Sequence, residues 1–246
     1  MTSTVRILGI CASPRQGNSH FLLEEALESA VEQAPERVLV KPFHLGKKPL
    51  APCDACTAHK KLRGECRIKD TFQEMRDLWL DSDVILYAFP VYHMGIPAQL
   101  KSFIDRLGNS LGYYFQSSEP GTYHIPRLMK VMGFITQGAH LYGGQDLALS
   151  FMVTHALLMR CIAVPGDLPD SYVGAGGWTG GQASRQSLKE LYEQRDRDAM
   201  IAVESARQVA RRAVETAMIV REGLQANRQT FARDPDYGFV LEKLSD

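Results

Sequence analysis

The chain predicts an α/β fold, a parallel sheet wound on both faces by helices, and three observations carry that reading. Strand-like and helix-like stretches alternate along most of its length. The strand-like stretches are near-continuous apolar runs, the pattern of strands buried on both faces. Apolar residues make up 45% of the 246 residues, enough for a sizeable core.

The elements follow in order. The first strand is Thr4–Ile10, and a helix runs from Ser19 to Gln33 with Phe21, Leu22, Ala26, Leu27, Ala30 and Val31 at helical spacing. Val38–Phe43 is the second strand, followed by a cysteine-containing loop over Pro49–Lys69. Asp70 reads as the N-cap of a helix through Leu80. The third strand is Asp83–Ala88, ended by Pro90, and a helix spans Pro97–Leu107. Gly108–Ile125 reads as a long loop with Tyr113, Tyr114, Phe115 and Tyr123. The fourth strand is Leu128–Ile135, the next helix Gly144–Met159, and the fifth strand Ile162–Val164. Five glycines in Val173–Gly181 predict a flexible loop, with Trp178 on a candidate lid or a mobile surface loop. Ser184–Asn227 reads as one long or two shorter helices. Residues 1–183 are thus expected to form the sheet domain and 184–246 a helical extension.

Five such strands suit the flavodoxin-like order 2-1-3-4-5. In open α/β sheets the ligand sits outside the carboxyl ends of the strands at the switch point. Here those ends are Cys11–Ser19, Phe89–Gly95 and Thr136–Gly144.

Bulk properties narrow the function. Twenty-eight basic residues balance twenty-eight acidic ones, which gives no global electrostatic reason to expect nucleic acid or a membrane as partner. Five cysteines, an odd number, argue against a disulfide framework and for a reducing, cytoplasmic location. No apolar run approaches the ~20 residues that cross a bilayer. Met1-Thr2-Ser3-Thr4 leads straight into a strand, so no cleavable leader is expected.

The first loop, Ser13-Pro14-Arg15-Gln16-Gly17-Asn18-Ser19, offers hydroxyls, an amide, a charge and a glycine at a helix start. Free N–H groups there favour a phosphate. The Lys-Ser/Thr ending of a nucleoside-triphosphate loop is missing, and so is G-x-G-x-x-G. A terminal phosphate monoester fits; so does a plain helix start with Ser19 or Asn18 as N-cap. The second loop, Pro90-Val91-Tyr92-His93-Met94-Gly95, offers an aromatic surface and backbone N–H groups to a flat ring, or is an ordinary strand-to-helix turn. The third, Thr136-Gln137-Gly138 through His140 to Gly143-Gly144, leads into a helix N-terminus whose positive end would stabilise an anionic ring. His140 is a substrate contact or merely solvated.

Gly9-Ile10-Cys11-Ala12-Ser13-Pro14-Arg15-Gln16-Gly17-Asn18-Ser19 resembles the opening motif of the NADPH-dependent FMN reductase family. Phe89-Pro90-Val91-Tyr92 with Gly95-Ile96-Pro97 through Arg106 resembles that family's second loop and helix. The resemblance runs from about Val5 to Val164 and is nearest to the branch of the iron–sulfur flavoproteins. It implies FMN and two-electron redox chemistry. By position Ser13, Arg15, Gln16, Gly17, Asn18 and Ser19 would hold the FMN phosphate. Pro90, Val91, Tyr92, His93, Met94 and Gly95 would flank the ring, with Thr136, Gln137, Gly138 and Gly143 as a third wall.

The implied activity is an FMN-dependent NAD(P)H oxidoreductase. Hydride passes through flavin N5 to a small-molecule electron acceptor such as a quinone, a nitro compound or flavin. No separate catalytic residue is assigned. The alternatives are an electron-transfer flavoprotein serving other redox proteins and a binding module that has lost the cofactor. No residue separates NADH from NADPH.

In the iron–sulfur flavoproteins four closely spaced cysteines hold a [4Fe–4S] cluster. Here the spacing is Cys53-x2-Cys56-x2-His59-x6-Cys66, with His59 in the slot of the third cysteine. Three thiolates and an imidazole suit a cluster or tetrahedral zinc, and a loop without metal is the third possibility. Lys60, Lys61, Arg63 and Arg67 either favour thiolates or form a solvated face. Cys11 and Cys161 read as core residues. The apolar stripe of the C-terminal helices either covers the sheet of the same subunit or makes a homodimer or homotetramer contact, as the resemblance implies.

Overall fold

A computed structural model describes residues 4–115, 122–167, 169–182 and 184–244. The expected start at Met1–Ser3, residues 116–121 of the expected aromatic loop and Ala183 at the expected domain boundary lie outside them.

The elements are β1 (Val5–Cys11), α1 (Asn18–Gln33), β2 (Val38–His44), α2 (Ala58–Lys61), α3 (Thr71–Asp81), β3 (Val84–Pro90), α4 (Ala98–Tyr114), β4 (Val131–Gln137), α5 (Gln145–Leu158), β5 (Ile162–Ala163), β6 (Ala175–Gly177), α6 (Ser187–Glu193), α7 (Arg197–Ala226), α8 (Arg228–Phe231) and α9 (Gly238–Lys243). The sheet is parallel in the order β2-β1-β3-β4-β5, the flavodoxin-like arrangement expected.

Alternation along each strand splits the core in two. Ile7, Leu86, Ala88 and Ile135 face one side with α1 and α7, while Leu8, Ile10, Tyr87 and Phe134 face the other with α3, α4 and α5. The stripe Ala199, Ala202, Val203, Ala206, Val209 and Ala210 of α7 is buried on the first side, in this chain's own core. Small residues let α7 lie close to α1, and Arg207 bridges the seam to Glu25, Glu28 and Glu32. Asp70 caps α3 through a capping box with Gln73, as its position predicts.

Two expectations need correction. The helix expected to end at Leu107 runs to Tyr114, because Leu107, Ser110 and Leu111 continue its buried face through two glycines. Tyr113 and Tyr114 are therefore helical, not in a loop. The glycine-rich segment is not free either: Ala175–Gly177 adds a sixth strand, pairing with Ile135–Gln137 at the carboxyl end of β4. Absent side chains let this backbone run close to both β4 and α7. No described helix is long and apolar enough to cross a membrane.

Candidate cofactor site

The carboxyl ends of β1, β3 and β4 bring the three loops together. The first opens α1 without a side-chain cap. Gly17 stands at the N-cap and neither Asn18 nor Ser19 caps, which corrects the plain-cap reading. The N–H groups of the first turn lack intrahelical acceptors by construction. Ser13 and Ser19 are buried beside them, and Ser13 Oγ accepts from the Arg15 N–H at 3.2 Å, leaving its own proton to donate. Arg15 and Gln16 are exposed.

Asn18 has another occupation. Its amide donates to Ser187 Oγ at 3.1 Å and its carbonyl accepts from the Leu188 N–H at 3.1 Å. A Cβ on Gly17 would stand 2.7 Å from the Arg185 carbonyl oxygen. The glycine thus lets the approach to α6 press against the loop.

His44 packs under the same loop. Burial lowers its pKa, the neighbouring His20 lowers it further, and the Arg15 and Ser13 backbone pulls it partly back. The His20 and His44 rings meet edge-on at 5.3 Å. They line a cavity of about 280 Å³ with Cys11, Glu24 and Phe43. Burial pushes the Cys11 thiol up to about 11 and that of Cys161 to about 12, so both are neutral core groups.

The second loop is a tight hairpin. Tyr92 N–H donates to Gly95 O at 2.9 Å and Gly95 N–H to Tyr92 O at 3.1 Å. His93 (φ 49°) and Met94 (φ 66°) both take the left-handed conformation such a turn demands, a strained choice for residues with side chains. Tyr92, His93 and Met94 are exposed, Pro90, Val91 and Gly95 half-buried. Val91 N–H donates to Gln137 O at 2.8 Å, tying the loop to β4.

The third loop is held from below. Thr136 Oγ1 donates to Phe89 O at 3.0 Å, Gln137 Nε2 to Gly138 O at 2.7 Å, and Gly138 N–H to Gly177 O at 3.0 Å. These side-chain donors serve the protein, so the third wall presents backbone. Gly143 is half-buried, and its N–H donates to His140 O at 3.2 Å. Gly144 has φ 100°, and a Cβ there would come within 2.6–2.9 Å of the Met94 backbone. Loops two and three therefore touch main chain to main chain. Gly144 begins α5 without a side-chain cap.

The cysteine loop lies apart from these three, on the flank of α4. Cys53, Cys56, His59 and Cys66 line one small cavity with Arg106, Asn109 and Ser110. They are spread around it: among the described residues no three His, Cys, Asp or Glu side chains stand close enough to hold one metal ion. Ala55 (φ 53°) and Thr57 (φ 56°) flank Cys56 in the left-handed region and coil the loop tightly. Arg106, almost fully buried, donates to Ala51 O at 3.0 Å, to Ile68 O at 2.9 Å and to both Asp70 oxygens at 2.8–2.9 Å. Ser110 donates to Gly64 O at 2.6 Å, and Asn109 reaches Cys53 Sγ at 3.8 Å. Arg67 pairs with Asp54. Burial, with Lys60 beside it, lowers the His59 pKa.

Sequence reasoning missed Arg106, Asn109, Ser110, Ser187 and the Gly177 carbonyl as parts of this machinery. The i, i+3, i+4 spacing of Arg106, Asn109 and Ser110 signals one helix face, but nothing local says that the face meets residues 51–70.

Comparison with known proteins then gives three findings. The model of the NADPH-dependent FMN reductase family matches residues 5–170. An iron-sulfur flavoprotein of Archaeoglobus fulgidus is 34% identical over 190 residues, 76% of this chain and 87% of that one, and one of Methanocaldococcus jannaschii is 30% identical over 174 residues, 70% and 82%. An azoreductase from Bacillus anthracis shares the fold, with a TM-score of 0.58 at 17% identity over 85% of this chain and 99% of that one.

Proposed function

We propose a two-electron reductase on one premise: this chain belongs to the NADPH-dependent FMN reductase family. It is an FMN-dependent oxidoreductase. The finer reading is that it takes a hydride from NADH or NADPH and passes the electrons to a small acceptor such as a quinone, a nitro compound or free flavin. The observation that carries it is the convergence of three loops on an uncapped helix N-terminus, with two buried hydroxyls beside it and an exposed tyrosine opposite. Those residues fit a phosphate-tailed flat ring.

Bound FMN supplies hydride acceptance at N5 and onward release of the electrons. The chain does the rest. Ser13 and Ser19 hydroxyls and the first-turn N–H groups of α1 take the phosphate, with Arg15 adding charge and Gln16 a further amide. Gly17 and Asn18 position that turn against α6. Pro90 to Gly95 flank the ring, and the hairpin fixes Tyr92 as its aromatic wall. Thr136, Gln137, Gly138 and Gly143 close the third side through their backbone. The open N-terminus of α5 stabilises negative charge on the reduced ring.

Mixing the FMN-loaded protein with NADH or NADPH in an anaerobic stopped-flow tests this. Rapid bleaching of the yellow band with one of them is expected. No bleaching with either favours the electron carrier, the second reading, which the cysteine cavity and the names of the relatives support.

A homodimer or homotetramer has a surface to use. Leu147, Phe151 and Leu158 leave the outer face of α5 apolar and exposed, while its inner face is in the core. Phe151→Glu would lower the mass seen in sedimentation; an unchanged oligomer places the contact elsewhere.

A further inference from the structure

We propose that the cysteine loop holds an iron–sulfur cluster through three thiolates and one imidazole, those of Cys53, Cys56, Cys66 and His59. The spacing would by itself leave His59 an accident. The fold removes that option by turning all four donors toward one cavity. Two left-handed residues, Ala55 and the β-branched Thr57, bend the backbone around Cys56, and such strain persists where a clamp needs it.

One face of α4 then serves as a mount. Arg106 staples both ends of the loop, Asn109 touches Cys53 Sγ, and Ser110 holds the Gly64 carbonyl. A buried guanidinium at this wall also offsets the negative charge that several thiolates bring.

The spread of the donors favours a cluster over zinc. One tetrahedral ion with bonds of about 2.3 Å to sulfur gathers its ligands to within roughly 4 Å of each other. A cluster binds each ligand at a different iron atom and takes a wider set. In this respect alone the assignment rests on the flavoprotein reading: a redox group belongs beside a flavin. Arg106 lies about 12 Å along α4 from the end of loop two, at the 1.5 Å rise of a helix. Exchanging a thiolate for a neutral imidazole removes a negative charge and raises the reduction potential, as histidine ligation does in other iron–sulfur centres.

The test is anaerobic reconstitution of the full-length, FMN-loaded protein with ferrous iron and sulfide, using protein labelled with ¹⁵N-histidine. Iron and labile sulfide should be taken up in equal amounts. Pulsed EPR of the reduced cluster should show a histidine nitrogen coupled to it. His59→Cys should keep the iron, lose that coupling and lower the midpoint potential. Three results overturn the proposal: zinc bound with no uptake of iron and sulfide, a cluster with no nitrogen coupling, or no metal at all. Flavin released from the same samples is counted separately, so loss of FMN would sink the reductase reading and leave the cluster result standing. Retained flavin in His59→Cys shows that the variant is folded.

Discussion

The flavin-side loops and the cysteine loop are held in opposite ways. The former are braced by main chain and amides from far along the sequence: Asn18 on Ser187 and Leu188, Gly17 under Arg185, Gly138 on Gly177, Gly144 on Met94. The latter is gripped by charged and polar side chains of one neighbouring helix, Arg106 above all. A backbone-braced site keeps its shape with few side chains committed, leaving hydroxyls and N–H groups for a ligand. A side-chain-gripped loop depends on single residues. It should fail abruptly when one is changed.

Arg106→Gln is the most direct way to break the contrast. It leaves the buried Asp70 carboxylate without its guanidinium, and a loss of about 3–5 kcal/mol is expected in urea unfolding. Burial pushes the Asp70 carboxyl up, but Arg106 and the Ala51 and Phe72 N–H groups pull it below its usual value by more. The stability it contributes is present above the unfolded pKa of about 4 and lost as pH falls through the folded value. The variant should lose that acid limb, and an unchanged urea midpoint would show that the grip is shared.

Acid should strike the core beneath both regions alike. Burial lowers the His155 pKa from 6.5 to about 4, against a smaller upward pull from Asp105. The unfolded chain accepts that proton near pH 6.5, so stability is full above it and falls by roughly 3 kcal/mol as pH drops toward 4. Melts of His155→Gln across this window should be flatter than those of the parent.

Gly144→Ala probes the braced side. A methyl group at φ 100°, pressed on the Met94 backbone, should cost about 1–3 kcal/mol and weaken FMN binding at least tenfold by fluorescence titration. Equal affinity would show that loops two and three need not touch. The smallest effect is expected from Asn18→Ala, which strips a partner from the Leu188 N–H at about 1–2 kcal/mol. FMN affinity should fall only a few-fold, because the first-turn N–H groups remain.

What the sequence disclosed follows from how local each signal was. The strand order, the three loops and the Asp70 cap were legible because apolar runs, glycines and a capping box lie within a few residues of each other. His59 stood out by spacing alone. The length of α4 was not legible, since Gly108 and Gly112 read as breakers until Leu111 is seen buried. β6 was invisible because Ala175–Gly177 has no side chains to announce a strand. The duties of Asn18 and Arg106 lay hidden, since their partners are about 170 and 36–55 residues away.

The place of α7 has a consequence for biosynthesis. One side of the sheet stays bare until residues near Ala217 have left the ribosome, long after every strand has been made. Nascent chains paused before that point would show Ile7, Leu86 and Ile135 to the solvent, an adhesive surface that a holdase chaperone would recognise.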